Sequence, residues 1–172
     1  IAPNEENVNL FFEFNKNIGF HSIKLNGNKY SRLFQYKKEI QKKITQLSPD
    51  CIIVCDFGLK GFLIPFLVKT KVPLIFEAHG SKYNESQYYE VNFFSKLTHK
   101  LKYLYRDFCV KKFDFFVTLS KESLAEWSRK DGIIIPNPLC TESVSISNLK
   151  EKKVIAVSRH SYEKGIDRLL EI

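Results

Sequence analysis

A chain of 172 residues and 20.1 kDa has room for one ordinary domain, or for one domain and part of another. Hydrophobic residues at 44% and aromatics at 14% supply a core and exclude wholesale disorder, while 7 Gly and 6 Pro exclude collagen-like and linker-dominated chains. The excess of 27 Lys and Arg over 19 Asp and Glu, a net +8, suits nucleic acid, anionic lipid or phosphorylated small molecules without choosing among them.

The first readable element is an amphipathic helix over Val8–Ile18, followed by a short strand over His21–Leu25. Tyr30 to Leu47 is helical, with Leu33, Tyr36, Ile40, Ile44 and Leu47 on one stripe and lysines opposite. Five apolar runs then punctuate the chain: Cys51–Cys55, Leu74–Phe76, Phe115–Leu119, Ile133–Ile135 and Val154–Val157. Each is apolar throughout rather than alternating, the pattern of strands covered on both faces in a parallel sheet. Between them lie a longer helix over Phe94–Phe113, with Leu97, Leu101, Leu104, Tyr105 and Phe108 on one stripe, and a helix around Leu124 and Trp127 capped by Ser120. Alternating helix and strand predict an α/β fold, a Rossmann-like doubly wound parallel sheet. An opening strand is expected ahead of residue 1.

No apolar run approaches the roughly 20 residues that span a bilayer, and the N-terminus lacks the basic and apolar regions of a signal peptide. A soluble protein is expected. Met is absent and the chain stops inside a helical pattern, so both ends read as cut. The polar, Ser-rich stretch between Leu139 and Lys153 reads as a linker. The organisation is then a Rossmann-like domain over residues 1–139, a linker over 140–152, and the first strand, loop and helix start of a second domain over 153–172.

The four cysteines are too sparse for a disulfide scaffold. Cys51 and Cys55 flank Ile52–Val54, and alternation points both to one face. Zinc ligation would need a second pair of ligands with a turn between, which the local sequence lacks, so buried reduced thiols and no metal are expected. Such thiols fit a reducing cytoplasm.

The densest chemistry lies in Val154–Leu170, where a strand delivers Arg159 and Lys164 into the loop at its C-terminal end before Gly165 and Ile166 open a helix. Ligands of open α/β sheets bind at that edge, and a rigid guanidinium with a mobile ammonium suits a diphosphate. The alternative there is a solvated basic loop. His79 ends another apolar strand beside Gly80, and Glu77 shares its face and could orient the imidazole. The alternative is a structural histidine. His160 is taken as a loop residue.

The segment Ser158-Arg-His-Ser-Tyr-Glu-Lys-Gly-Ile-Asp-Arg-Leu-Leu170 resembles the opening of the C-terminal domain in family 4 retaining glycosyltransferases of the GT-B fold. Glu77-Ala-His-Gly80, Ser120-Lys-Glu-Ser123 and Ile134-Ile-Pro-Asn-Pro138 fall in the family's order, so the resemblance covers most of the chain from about Asp50. It implies that Arg159 and Lys164, with Gly165, contact the diphosphate of a nucleotide-sugar donor, and that His79 positions the transferred sugar or the acceptor. Fixed cations would stabilise the departing nucleoside diphosphate and dispense with a divalent metal, for which no Asp-x-Asp pair appears. The family's glycine-rich turn after the first strand is not visible, and its paired glutamates would lie downstream of Ile172. The chain alone is therefore expected to be inactive.

The implied parent is a bacterial transferase of surface polysaccharide or lipid-linked glycan biosynthesis, acting in the cytoplasm. Lys96, Lys100, Lys102, Arg106, Lys111 and Lys112 around the apolar stripe of the long helix suit an anionic membrane at the inner face, the alternative being an ordinary solvated helix face. Rival readings are a GT-B sugar-nucleotide epimerase or phosphorylase, and a non-catalytic basic module binding RNA or anionic lipid. The chain carries no recognisable RNA-binding signature.

Overall fold

The computed structural model of the chain describes residues 2–3, 16–83, 93–138, 150, 157 and 166–169. Four of the five apolar runs become neighbouring parallel strands: β3 (Ile52–Val54), β4 (Leu74–Ala78), β5 (Phe115–Thr118) and β6 (Ile133–Ile134). Ahead of them, β1 (Ala2–Pro3) pairs parallel with β2 (Ser22–Ile23) in a separate two-stranded sheet. The helices are α1 (Lys29–Leu47), α2 (Leu59–Leu67), α3 (Phe93–Val110), α4 (Lys121–Ala125) and the short α5 (Ile166–Leu169).

Local chemistry explains the boundaries. Asn28 caps α1 by accepting from the Ser31 amide at 2.9 Å, and Ser48 closes the helix in the left-handed region at φ 43°. Ser120 caps α4 by accepting from the Ser123 amide at 3.2 Å, as the sequence predicts. α2 is a helix that periodicity does not single out, because Pro65 stands inside it and removes a donor. Gly61 lets α2 close onto the turn after β3: a Cβ there would collide with the Asp56 carbonyl oxygen.

The four-stranded sheet runs in the order β3-β4-β5-β6, so each connection steps to the next strand in one direction. Right-handed crossovers of that order place α2, α3 and α4 on one face. There Phe62 of α2, Phe113 after α3 and Trp127 after α4 pack on Phe76 and Phe116, with ring centroids between 4.9 and 6.4 Å apart. Burying an aromatic side chain of this kind contributes about 1.5–3 kcal/mol, so this cluster is the principal stabiliser of the sheet. The architecture is α/β and Rossmann-like; the reversal of strand order that marks a doubly wound sheet is not seen among the described strands.

The opposite face departs from expectation. Register sets Ile53 beside Ile75, Ile75 beside Phe115, and Val117 beside Ile133. Of these, Ile53, Phe115 and Ile133 are about half exposed, whereas strands covered on both faces would hide them. The one-directional strand order is the reason, since it sends every described crossover helix to the other side. The same asymmetry overturns the expectation for two cysteines: Cys51 and Cys55 are exposed on this open face, and Cys109 of α3 is buried.

Several expected features lie outside the described residues: most of the Val8–Ile18 helix, the linker, and Val154–Ala156. Residues 16–17 form a turn and Ile18 is exposed, so the last expected turn of that first helix is not helical. Val157 is almost fully exposed and outside any strand, with no described neighbour to pair with it. Among the described residues no helix is long and apolar enough to cross a membrane.

Candidate functional site

Parallel strands end together, so the residues after them gather at one edge of the sheet. Here β3 runs into Cys55-Asp56, β4 into His79-Gly80 and β5 into Leu119-Ser120. The register Ile53 to Ile75 and Val54 to Phe76, continued by one residue, sets Cys55 opposite Glu77 on the open face. His79 is two residues beyond Glu77 and so shares that face. Three side chains able to bind protons or metals thereby converge. The Cys55 thiol donates to Glu77 Oε2 at 3.4 Å, and His79 Nε2 lies 3.3 Å from Glu77 Oε1.

The cluster is open to solvent, with His79 at 47% side-chain exposure and Glu77 at 27%. Even so, burial, the hydrogen bond to Glu77 and the charge of Glu77 together push the Cys55 thiol up to about 11. At neutral pH Cys55 is therefore a neutral donor, unsuited to act as a free thiolate nucleophile. Beside it, α1 and β3 border a cleft of about 460 Å³ lined by Tyr36, Ile40, Ile53, Cys55 and Asp56 among others. Asp56 shapes the strand-to-helix turn by accepting from the Gly58 amide at 2.7 Å.

The loop after His79 is held rigidly from below. Glu126 Oε2 accepts from Ser81 Oγ at 2.8 Å and from the Lys82 amide at 2.7 Å. The Lys82 ammonium is buried and donates to both oxygens of Asp107 on α3, at 3.0 and 3.2 Å. Arg106 donates to the Lys82 carbonyl at 2.7 Å while its guanidinium lies over the rings of Phe57 and Phe62, 5.3 and 5.7 Å from their centroids. Taking these charges out of water costs several kcal/mol, which the Lys82–Asp107 pair and the hydrogen bond of Arg106 offset, and the result is a fixed platform for residues 81–82, just after His79.

This platform corrects one expectation. Arg106 is 6% exposed, so it does not belong to the outward basic rim of the long helix. Its inward position is dictated by the Lys82 carbonyl and by the two aromatic rings it covers. Lys96, Lys100, Lys102, Lys111 and Lys112 are exposed, and so is the stripe Leu97, Leu101, Leu104 and Phe108.

The structure thus brings His79 and Glu77 together and adds Cys55, which sequence reading assigned to the core. A signal for it existed: Glu77 and His79 alternate on one strand, and an adjacent parallel strand ends in Cys55. Lys82, Asp107 and Glu126 carried no local signal, because each lies on a different element. Arg159, Lys164 and Gly165 lie outside the described residues, so the structure does not relate them to His79. No protein-family model, curated protein or solved structure matches this chain.

Proposed function

We propose that the chain is the acceptor-side portion of a GT-B glycosyltransferase that moves a sugar from a nucleotide-diphosphate donor to a glycan or lipid-linked acceptor with retention. In this reading residues 140–152 link it to a donor-binding domain that begins at 153. The observation that carries it is His79 beside Glu77 at the C-terminal edge of a parallel sheet, where α/β folds bind their ligands. The ordered motif Arg159 to Gly165, known from sequence alone, supplies the donor side.

The chemistry follows from charge. Cleavage of the anomeric bond builds negative charge on the departing diphosphate, and Arg159 and Lys164 meet it with a guanidinium fork and an ammonium. No metal is assigned to the diphosphate. Glu77 orients the His79 imidazole, which hydrogen-bonds the transferred sugar or the acceptor. The exposed leucine stripe of α3, rimmed by lysines, favours a lipid-linked acceptor reached at the inner face of an anionic membrane in the bacterial cytoplasm.

The test is binding and single-turnover transfer in the complete enzyme. Arg159→Ala and Lys164→Ala should each cost roughly 1.5–3 kcal/mol of donor affinity, and more at the transition state. His79→Ala should impair transfer and leave affinity for the bare nucleoside diphosphate intact. Unchanged transfer in all three variants would refute the reading.

A further inference from the structure

We propose that Cys55, Glu77 and His79 form a binding site for a divalent ion of the zinc class, with a fourth position open to water or to an oxygen of a bound ligand. The proposal does not rest on the transferase reading, although it gives His79 and Glu77 a second role as ligands, and it departs from the sequence-based expectation of no metal. That expectation looked for a second ligand pair along the chain from Cys55. The fold supplies the pair from the neighbouring strand.

The geometry is the first argument. Zinc bonds of about 2.0–2.2 Å to nitrogen and oxygen and about 2.3 Å to sulfur, at tetrahedral angles, put ligand atoms about 3.3–3.7 Å apart. The observed separations are 3.3 Å from His79 Nε2 to Glu77 Oε1 and 3.4 Å from Cys55 Sγ to Glu77 Oε2. One ligand atom from each residue falls within 4.8 Å of the other two, and among the described residues no other group of three such side chains does so. Glu77 offers one oxygen to each partner, and ligation through one of them would draw the three ligand atoms in from that 4.8 Å limit to tetrahedral spacing.

The donor set is the second argument. Thiolate, imidazole and carboxylate together suit zinc, whereas magnesium and calcium would call for oxygens alone. Three protein ligands with solvent access on the remaining side match open, reactive zinc sites rather than closed structural ones. Rigidity is the third argument. Cys55 and Glu77 are locked by the β3–β4 register, and the loop after His79 is pinned to Glu126 and Arg106, so little is left to order when the ion arrives. Binding exchanges the thiol proton, released to solvent, for the ion, with no change of oxidation state.

Cobalt(II) titration of the protein tests this directly, because cobalt occupies such sites and reports thiolate ligation by near-ultraviolet charge-transfer absorption. The expected result is a saturable band reaching its plateau at one equivalent and displaced by added zinc. Cys55→Ser should abolish the band. His79→Ala should weaken binding at least about tenfold, the lower end of what loss of even an outer partner of a ligand costs. Cys51→Ser, which alters an exposed cysteine outside the cluster, should change neither band nor stoichiometry. Circular dichroism confirms that each variant is folded before titration. Absence of a saturable band in the wild type would overturn the proposal, as would a full band surviving in folded Cys55→Ser. Neither result would bear on donor binding by Arg159 and Lys164.

Discussion

The two long helices, α1 and α3, read alike in sequence and sit differently in the fold. Each carries an apolar stripe among lysines. In α1 the middle of that stripe turns inward: Tyr36 and Ile40 are buried and Ile44 is partly so, while Leu33 and Leu47 at its two ends are exposed and Lys37, Lys38 and Lys42 face water. In α3 the stripe of Leu97, Leu101, Leu104 and Phe108 turns outward, and the helix buries His99, Arg106, Cys109 and Val110 instead. The difference lies in the polar partners. α1 holds no buried ion pair, since the half-buried Arg32 has its Nε enclosed without a hydrogen-bond partner among the described residues, and hydrophobic contact sets the rotation of the helix. α3 presents Arg106 and Asp107 to Lys82, whose buried ammonium without its carboxylate would cost about 3–5 kcal/mol.

The largest effect should separate the two stripes. Ile40→Ala on α1 should destabilise by about 2–5 kcal/mol, as a large-to-small change in a core does. Leu101→Ala on α3, at a site 57% exposed, should stay within about 0.5 kcal/mol. Urea denaturation of both variants measures this. Equal losses would mean that the α3 stripe is covered, and the contrast between the helices would fail.

Next in size is the charge platform. Asp107→Ala strips the buried Lys82 ammonium of both its acceptor contacts and removes the partner of the Ser128 amide. A loss of about 3 kcal/mol is expected, and Lys82→Met added to Asp107→Leu should recover much of it, since no uncompensated charge remains. A double variant as unstable as Asp107→Ala would show that the pair contributes by something other than charge.

These cases also mark what could be read in advance. The runs at Cys51–Cys55, Leu74–Phe76, Phe115–Leu119 and Ile133–Ile135 were legible as strands because β-branched and aromatic residues cluster between turn residues, a local property. The Ser120 cap was legible for the same reason. Which face of a strand or helix points inward is not local. It depends on crossover handedness for Ile53 and Phe115, and on a carbonyl in another loop for Arg106. The site was legible by halves: Glu77 and His79 lie two residues apart at the end of one strand, while Cys55 joins them only through the register between two.

A smaller effect returns to α1. Burial, with the nearby Asp56 charge, raises the Tyr36 hydroxyl to about 12, above the value near 10 of an unfolded chain. The folded state then holds its phenolic proton more tightly than the unfolded state. The resulting stability is complete below pH 10 and is lost as pH rises from about 10 toward 12. Between about pH 9 and pH 11 the loss from this group should be about 1 kcal/mol. Lysines titrate in the same window, so the comparison is with Tyr36→Phe, whose stability should fall less over that interval. Parallel curves for the two proteins would mean that the Tyr36 hydroxyl is solvated in the fold.

The smallest effects per residue belong to the outer face of α3. If that face rests on a membrane, the protein should sediment with vesicles containing anionic phospholipid and not with purely zwitterionic ones, and added salt should release it. Each exposed lysine near the surface contributes about 1 kcal/mol at best, so Lys100→Ser should lower partitioning by about fivefold or less. Leu101→Ser should act through lost apolar contact and therefore persist at high salt, where the lysine effect fades. The two dependences separate insertion of the stripe from simple attraction of a basic surface to a charged one. Salt-sensitive binding that ignores Leu101 would leave α3 with only a charged rim, and its outward stripe would need a different partner.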